Sequence, residues 1–331
     1  MMQEEYSLWD LSWKWLCQSR RHWPADADIW DLRWRWENSQ FCERERIYQQ
    51  VHNGNYRLSP MLVIPLAEGN SAVCWSASDA MVLKYVSLRI QEQLPLHSAC
   101  HHVRGHGGVS QSRLQVWKLL QSQHGMQQGF VFRTDIRGYY RNMNRQVISE
   151  YFARHISCEA MLTVLKQYLD VCVEGGGHFF SPQGLCRGSA LSPLIGAGLL
   201  FDLDEKMAAL PGVFYVRYMD DMLIIAPSRW HMRRARRCLL DIMDSMGFVM
   251  HPDKTQVGRL PHTAFDWLGW LFIDGRVTAA PRAIDTFKGN YRKRRLSLRA
   301  KGIDRHARRE ELRAYSRRWR RWLALPKDRI I

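Results

Sequence analysis

The residues in this chain best placed to do chemistry are carboxylates set in apolar strands. The run VFYVRYMDDMLIIAP puts Asp220 and Asp221 between two β-type stretches, 213–218 and 222–226. That pattern predicts a hairpin with two adjacent acids at its tip. An ordinary tight turn favours Gly or Asn beside an Asp, whereas Met219 and Met222 hold these acids close to apolar structure. Crowded carboxylates near a core repel, and bound cations relieve the repulsion. By themselves these four residues fit a plain hairpin turn as well as a metal site. A second apolar strand, FVFRTDIRGYY, runs into Asp135 and could bring a third acid to the tip. Three converging carboxylates suit two Mg²⁺ ions, which prefer oxygen ligands and keep substrate phosphates in their shell. Two such ions about 3.5–4 Å apart activate a 3′-hydroxyl and stabilise a leaving pyrophosphate. That is phosphoryl transfer, which needs mainly positioning and charge neutralisation.

Four stretches must position these acids. Residues 1–45 hold seven of the 14 tryptophans, in two clusters either side of Pro24. Two short helices packed through indoles are expected there. Residues 46–128 mix a strand-like run at 57–66 with a helix from about Ser78 to Gln93, capped by Ser78 or Asp79. Residues 129–275 alternate short apolar strands with amphipathic helices, an α+β pattern that predicts an antiparallel sheet backed by helices. Residues 276–331 read as basic helices. They carry 19 Lys and Arg against 5 Asp and Glu, so an excess of 14 out of the chain's net +16 sits in this tail. Charge concentrated in this way points to a phosphate-binding element. Eight scattered cysteines without a CxxC pair read as reduced and mostly buried. Without an apolar run of membrane length or a basic leader, a cytoplasmic protein with no membrane partner is expected.

YMDD on a hairpin resembles the catalytic motif of reverse transcriptases. Asp135-Ile136-Arg137-Gly138-Tyr139-Tyr140 is similar to the preceding palm motif of the bacterial enzymes. GLCRGSALSPLIGAGLLFDLDEKM (184–207) resembles the turn and helix that support the incoming nucleotide. HPDKT (251–255) looks like the motif with a lysine near the triphosphate, and WLGW (267–270) looks like the primer-grip hairpin. The resemblance implies a right-hand polymerase fold. Residues 1–45 would be a Trp-rich extension, 46–128 fingers, 129–275 palm with part of the fingers, and 276–331 a short helical thumb gripping an RNA–DNA duplex.

The same resemblance assigns roles. Asp135, Asp220 and Asp221, with the Ile136 carbonyl, would bind two Mg²⁺ ions, for which Mn²⁺ could substitute. Lys254 would be the general acid for pyrophosphate; a surface or phosphate-neutralising lysine is the alternative. Tyr140 stands where the family places an aromatic steric gate against a ribose 2′-hydroxyl, bulk that viral RNA-dependent RNA polymerases lack. Arg187 occupies the position of the family's glutamine that packs on the nucleotide, a departure that puts fidelity and base preference in question. Ser192, at the start of the nucleotide-supporting helix, would bind the substrate. The Gly-rich segment 97–113 would present Arg104 and His106 to phosphates. Its Cys100, His101, His102 and His106 fit no familiar zinc spacing. The family's triphosphate-binding Arg/Lys pair has only weak counterparts in Arg57, Lys84 and Arg104.

Retron signatures are missing, and Ser192-Pro193 replaces the Ser-Gln of diversity-generating enzymes. The expectation is a compact, stand-alone bacterial enzyme similar to group-II-like and defence-associated lineages. Its partners would be an RNA template in the form of a dedicated structured RNA, with a DNA product and dNTPs, and a partner protein or second copy. Antiviral defence is the lead role. A diversity-generating or mobile-element role, protein-primed or template-independent synthesis, and a non-catalytic RNA-binding scaffold are the alternatives.

Overall fold

The computed structural model describes residues 2–65, 71–122, 128–170, 184–185 and 188–326. The chain forms two compact units, Met1–His97 with Gly138–Asp202 and Ser98–Arg137 with Leu203–Ile331.

The first unit opens with helices α1 (Met2–Arg20), α2 (Asp28–Glu37) and α3 (Glu43–His52). They do pack through indoles: Trp13 lies flat on Trp36 at 4.3 Å, and buried Trp9 meets Trp36 and Tyr48. α1 has 19 residues and is not short, because no Pro or Gly interrupts it before Pro24. Arg20 anchors this layer by donating to the Trp75 carbonyl at 2.6 Å and pairing with Asp28. Strands β1 (Leu62–Pro65) and β2 (Ser71–Cys74) pair antiparallel. Helix α4 (Ala77–Ile90) follows, capped by Ser76, two residues before the expected cap. Asp79, the other expected cap, is fully buried and accepts from Tyr56, Ser59 and Ser76. The chain then gives α5 (Gly108–Gln121) and β3 (Phe130–Asp135) to the second unit. It completes the first with α6 (Arg145–His155), α7 (Glu159–Leu169) and α8 (Ser192–Leu199).

Helix α9 (Phe201–Ala208) leads into the second unit. There β4 (Phe214–Tyr218) and β5 (Asp221–Ala226) form the predicted hairpin, followed by α10 (Arg229–Ser245) and β6 (Gln256–Arg259). The sheet order is β4-β5-β3-β6, antiparallel throughout. β3 and β5 are buried along nearly their whole length, which is why they read as continuous apolar runs rather than alternating ones. α10 lays Met232, Ala235, Leu239 and Met243 inward. A second sheet holds β7 (Phe265–Trp267), β8 (Trp270–Ile273) and β9 (Arg276–Ala279). The basic tail therefore begins with a strand, and its helices are α11 (Pro281–Ala300) and α12 (Arg305–Leu323). These pack through Phe287, which stacks on Tyr315 and Trp319. The expected α+β class, with antiparallel sheets and helices, is the one found. Among the described residues no helix is long and apolar enough to cross a membrane. Of the six described free cysteines only Cys100 is buried, and Cys42 is exposed.

Candidate active site

The register of β3 on β5 sets Asp135 directly across from Asp221, and Tyr218 pairs with Asp221 in the adjacent hairpin. That leaves Met219 and Asp220 as a two-residue loop. Asp220 occupies the tip, and Asp221 is the first residue of β5. Like charges facing across strands destabilise a sheet, so these acids need counter-charge. Here they find it in the protein. Lys254 pairs with Asp135, while Arg133 donates to Asp221 at 2.6 Å and to Asp266 at 3.3 Å. Burial, followed by the charge of Asp135, pushes the Asp220 carboxyl up to about 6. Burial also raises Asp221, against the pull of Arg133.

The tip is held in an unusual conformation. Met219 has φ of 57°, a left-handed geometry that tight hairpins normally give to Gly, Asn or Asp. Its N–H donates to His102 Nδ1 at 2.9 Å, and its carbonyl accepts from Arg217 Nη1 at 2.9 Å. Arg217 is itself locked. It is 0% exposed and pairs with equally buried Asp204 of α9, donating from Nε at 2.8 Å; Tyr215 donates to the same carboxylate at 2.7 Å. The 98–102 segment flanks β4, with His101 N–H donating to the Arg217 carbonyl and Arg217 N–H to Ala99. On the other side, Ile136 N–H donates to the Asp220 carbonyl at 3.2 Å and His251 N–H to the Asp135 carbonyl at 2.7 Å. Backbone and side-chain bonds thus hold the tip on both flanks.

Donor chemistry at this end of the sheet fits divalent cations: three hard carboxylates, two facing across strands and the third crowded at the loop, with the Ile136 backbone adjacent. The side chains do not converge as ligands, however. Among the described residues no three His, Cys, Asp or Glu groups stand close enough to hold one ion, and Lys254 and Arg133 each pair with one of the carboxylates. A cavity of about 460 Å³ borders Asp221 and Arg133 and reaches Leu268, Phe287 and Trp319.

The WLGW turn is a second built feature. Trp267 and Trp270 pair across β7–β8, with Leu268 and Gly269 both at positive φ between them. Both indoles are buried and satisfied, Trp267 by Ser112 Oγ at 2.9 Å and Trp270 by the Leu323 carbonyl at 2.6 Å. Buried Arg113 donates to the Leu268 and Trp322 carbonyls. A Cβ on Gly269 would meet the Trp322 ring at 2.5 Å.

The remaining predicted residues are spread over both units. Arg104 is exposed in the 101–108 loop, where Gly105, Gly107 and Gly108 have positive φ. In that loop His106 Nδ1 contacts the Cys100 carbonyl, and His102 serves Met219. In the first unit Tyr140 is half-buried, beside the fully buried Tyr139. Ser192 is buried, and its hydroxyl is engaged with Tyr168 at 3.2 Å and the Ser189 carbonyl. Arg57 is exposed, and Lys84 lies over the Trp15 ring. Arg187 lies outside the described residues. Sequence reasoning missed Arg133, Asp266, the Arg217–Asp204 pair and the bond of His102 to the hairpin tip. Only Arg133 carried a visible signal, a charge two residues before Asp135 on the same strand face.

A sheet of this order, with acids facing across β3 and β5, is the layout expected of a polymerase palm. The family described as reverse transcriptase (RNA-dependent DNA polymerase) matches residues 81–272. That is more than half of the sequence, and the chain belongs to this family. Comparison with curated protein sequences gives no match. Among solved structures, telomerase from Candida albicans in complex with a TWJ fragment of telomeric RNA aligns with a TM-score of 0.51. It is 14% identical, over 74% of this chain and 52% of that one. Apo telomerase from Candida tropicalis, truncated from the C-terminal domain, gives 0.45 at 15% identity, over 61% of this chain and 45% of that one. At 14% identity the likeness to the Candida albicans chain is one of fold. This chain spans about half the length of the telomerase chains it matches.

Proposed function

We propose that the chain is an RNA-directed DNA polymerase that adds dNTPs to a DNA 3′-end on an RNA template. The observation that carries this is the cross-strand pair Asp135–Asp221 with Asp220 at the adjoining tip, inside the family match. Asp135, Asp220 and Asp221, with the Ile136 carbonyl, would hold two Mg²⁺ ions or Mn²⁺ in their place. Such ions supply Lewis-acid activation of a 3′-hydroxyl and charge neutralisation for the departing pyrophosphate. Arg133 and Lys254 pair with two of the carboxylates and orient them in the meantime. Lys254, released from Asp135, would pass an Nζ proton to pyrophosphate, which a lysine does more readily than an arginine. Tyr140 would exclude a ribose 2′-hydroxyl and Arg104 would meet phosphate. Arg187 would face the base, and Ser192 would act by fixing the start of α8.

In this reading residues 46–128 are fingers, 129–275 palm and 276–331 thumb, with 1–45 an N-terminal extension. A bacterial enzyme with a dedicated structured RNA, working in antiviral defence, is the role read from Ser192-Pro193 standing in place of Ser-Gln. A partner protein or second copy and a cytoplasmic location belong to the same reading. One observation favours a second reading, a non-catalytic RNA-binding scaffold: two of the three acids are already ion-paired. Incubating the full chain with a DNA-primed RNA template, dNTPs and Mg²⁺ separates the two. A DNase-sensitive extended product supports the polymerase. RNA retention without any product supports the scaffold.

A further inference from the structure

Helix α10 carries a charge pattern that folding does not explain. Its first nine residues, RWHMRRARR, hold Arg229, Arg233, Arg234, Arg236 and Arg237, all exposed. The first turn contains no acid, so these cations oppose the positive end of the helix dipole. Arg229, Arg233 and Arg237 also repel one another at four-residue spacing. Among the described residues no carboxylate stands within ion-pair distance of any of the five. Contrast α12, where Arg313 has Glu310, or α11, where Arg294 has Glu311.

The five divide by what they touch. Arg229 and Arg236 lie over the Phe130 and Phe132 rings of β3, so they serve the fold as well. Arg233, Arg234 and Arg237 fall with Trp230 on one outward stripe at helical spacing, about 10 Å long at 1.5 Å per residue. Trp230 is 63% exposed, among the most exposed large apolar side chains described, and Arg234 sits over its ring at 5.6 Å. The opposite face, through Met232, Ala235, Leu239 and Met243, is the buried one. Asp241 and Asp244 end the stripe towards the helix C-terminus.

We propose that this α10 stripe is a docking surface for a single-stranded nucleic-acid segment. Phosphates would be bound by Arg233, Arg234 and Arg237, and one base would stack on Trp230. A polyanion removes the Arg–Arg repulsion and meets the favourable end of the dipole. A planar base covers an indole that otherwise stays in water. This surface is on the outer face of a helix that backs the sheet, not at its acid-bearing strand ends. A strand bound here is held apart from the reacting end. The inference does not depend on catalysis.

The test uses the full chain and a fluorescein-labelled 20-nucleotide poly(U), with poly(dT) of equal length in parallel, followed by anisotropy across a salt series. Removing three phosphate contacts in Arg233→Gln/Arg234→Gln/Arg237→Gln should lower the slope of log affinity against log salt by about 2, at about 0.7 per contact. Trp230→Ala should weaken binding about fivefold or more with the slope unchanged, since stacking is not ionic. Greater loss with poly(U) assigns the surface to RNA; equal loss assigns it to either strand. Unchanged affinity and slope in both variants, with thermal unfolding like that of the parent, would overturn the proposal. An unfolded triple variant is replaced by the three single changes, each expected to remove about 0.7 from the slope.

Discussion

His102 is the residue through which the hairpin tip can be tested without touching a carboxylate. Replacing it with Ala removes the acceptor for the Met219 N–H and the edge contact with the Tyr218 ring at 5.8 Å. A donor left without its partner costs about 1–3 kcal/mol. Left-handed geometry at a non-glycine residue costs about 1–2 kcal/mol, and at Met219 that cost is now offset from the carbonyl side only, through Arg217. The tip should therefore relax in a fraction of molecules. Losing about 1–2 kcal/mol of bias shifts the equilibrium between aimed and relaxed tips by about 5–30-fold, which is the upper bound on the fall in kcat. Stability should fall by a similar energy, about 1–4 °C in Tm for a chain of this size. His102→Asn is the control, because its Oδ1 can stand where Nδ1 stood and accept the same N–H. The assay is single-nucleotide incorporation on a primed RNA template, read beside thermal unfolding followed by circular dichroism. Recovery in Asn but not in Ala is expected. Equal loss in both variants, or full activity in Ala, would refute the claim that this bond aims Asp220.

Three further outcomes follow from the geometry. Gly269→Ala places a Cβ 2.5 Å from the Trp322 ring at φ of 90°, and should cost about 2 kcal/mol or more, seen as a fall in denaturation midpoint. His52 contacts the Tyr85 hydroxyl, and burial lowers its pKa below 6.5. The unfolded chain then binds the proton first, so its contribution to stability is complete above pH 6.5 and is lost as pH falls through the lower folded value. His52→Gln should flatten that part of the Tm–pH curve. From the proposed steric-gate role, Tyr140→Ala should raise ribonucleotide use relative to dNTP use, measured as a ratio of kcat/KM values.

How much of this was readable from residues alone differs by element. Asp135, Asp220 and Asp221 stood out because acids seldom interrupt apolar strands, and the antiparallel sheet followed from the length and composition of those strands. The indole packing of α1 and α2 showed in tryptophan spacing. The clamp on Met219 did not show: His102 and Met219 are 117 residues apart, and nothing local links the two. Asp204 and Arg217 each look like an ordinary surface charge until α9 buries them together. The cap of α4 was misplaced by two residues because Ser76, Ser78 and Asp79 all have capping chemistry, and only the fold shows which side chain is free to cap. The charge of α10 was hidden by bookkeeping over long stretches, in which its arginines cancelled against acids elsewhere.

The most direct test of the central claim is dNTP incorporation on a DNA-primed RNA template, with Mg²⁺ present and absent, by the parent chain and by Asp220→Asn. Asp220 is the crowded acid, so the change should leave the fold intact and even relieve repulsion, raising Tm slightly. The account predicts Mg²⁺-dependent extension by the parent and none detectable by the folded variant. Extension by Asp220→Asn at the parent's rate would contradict it.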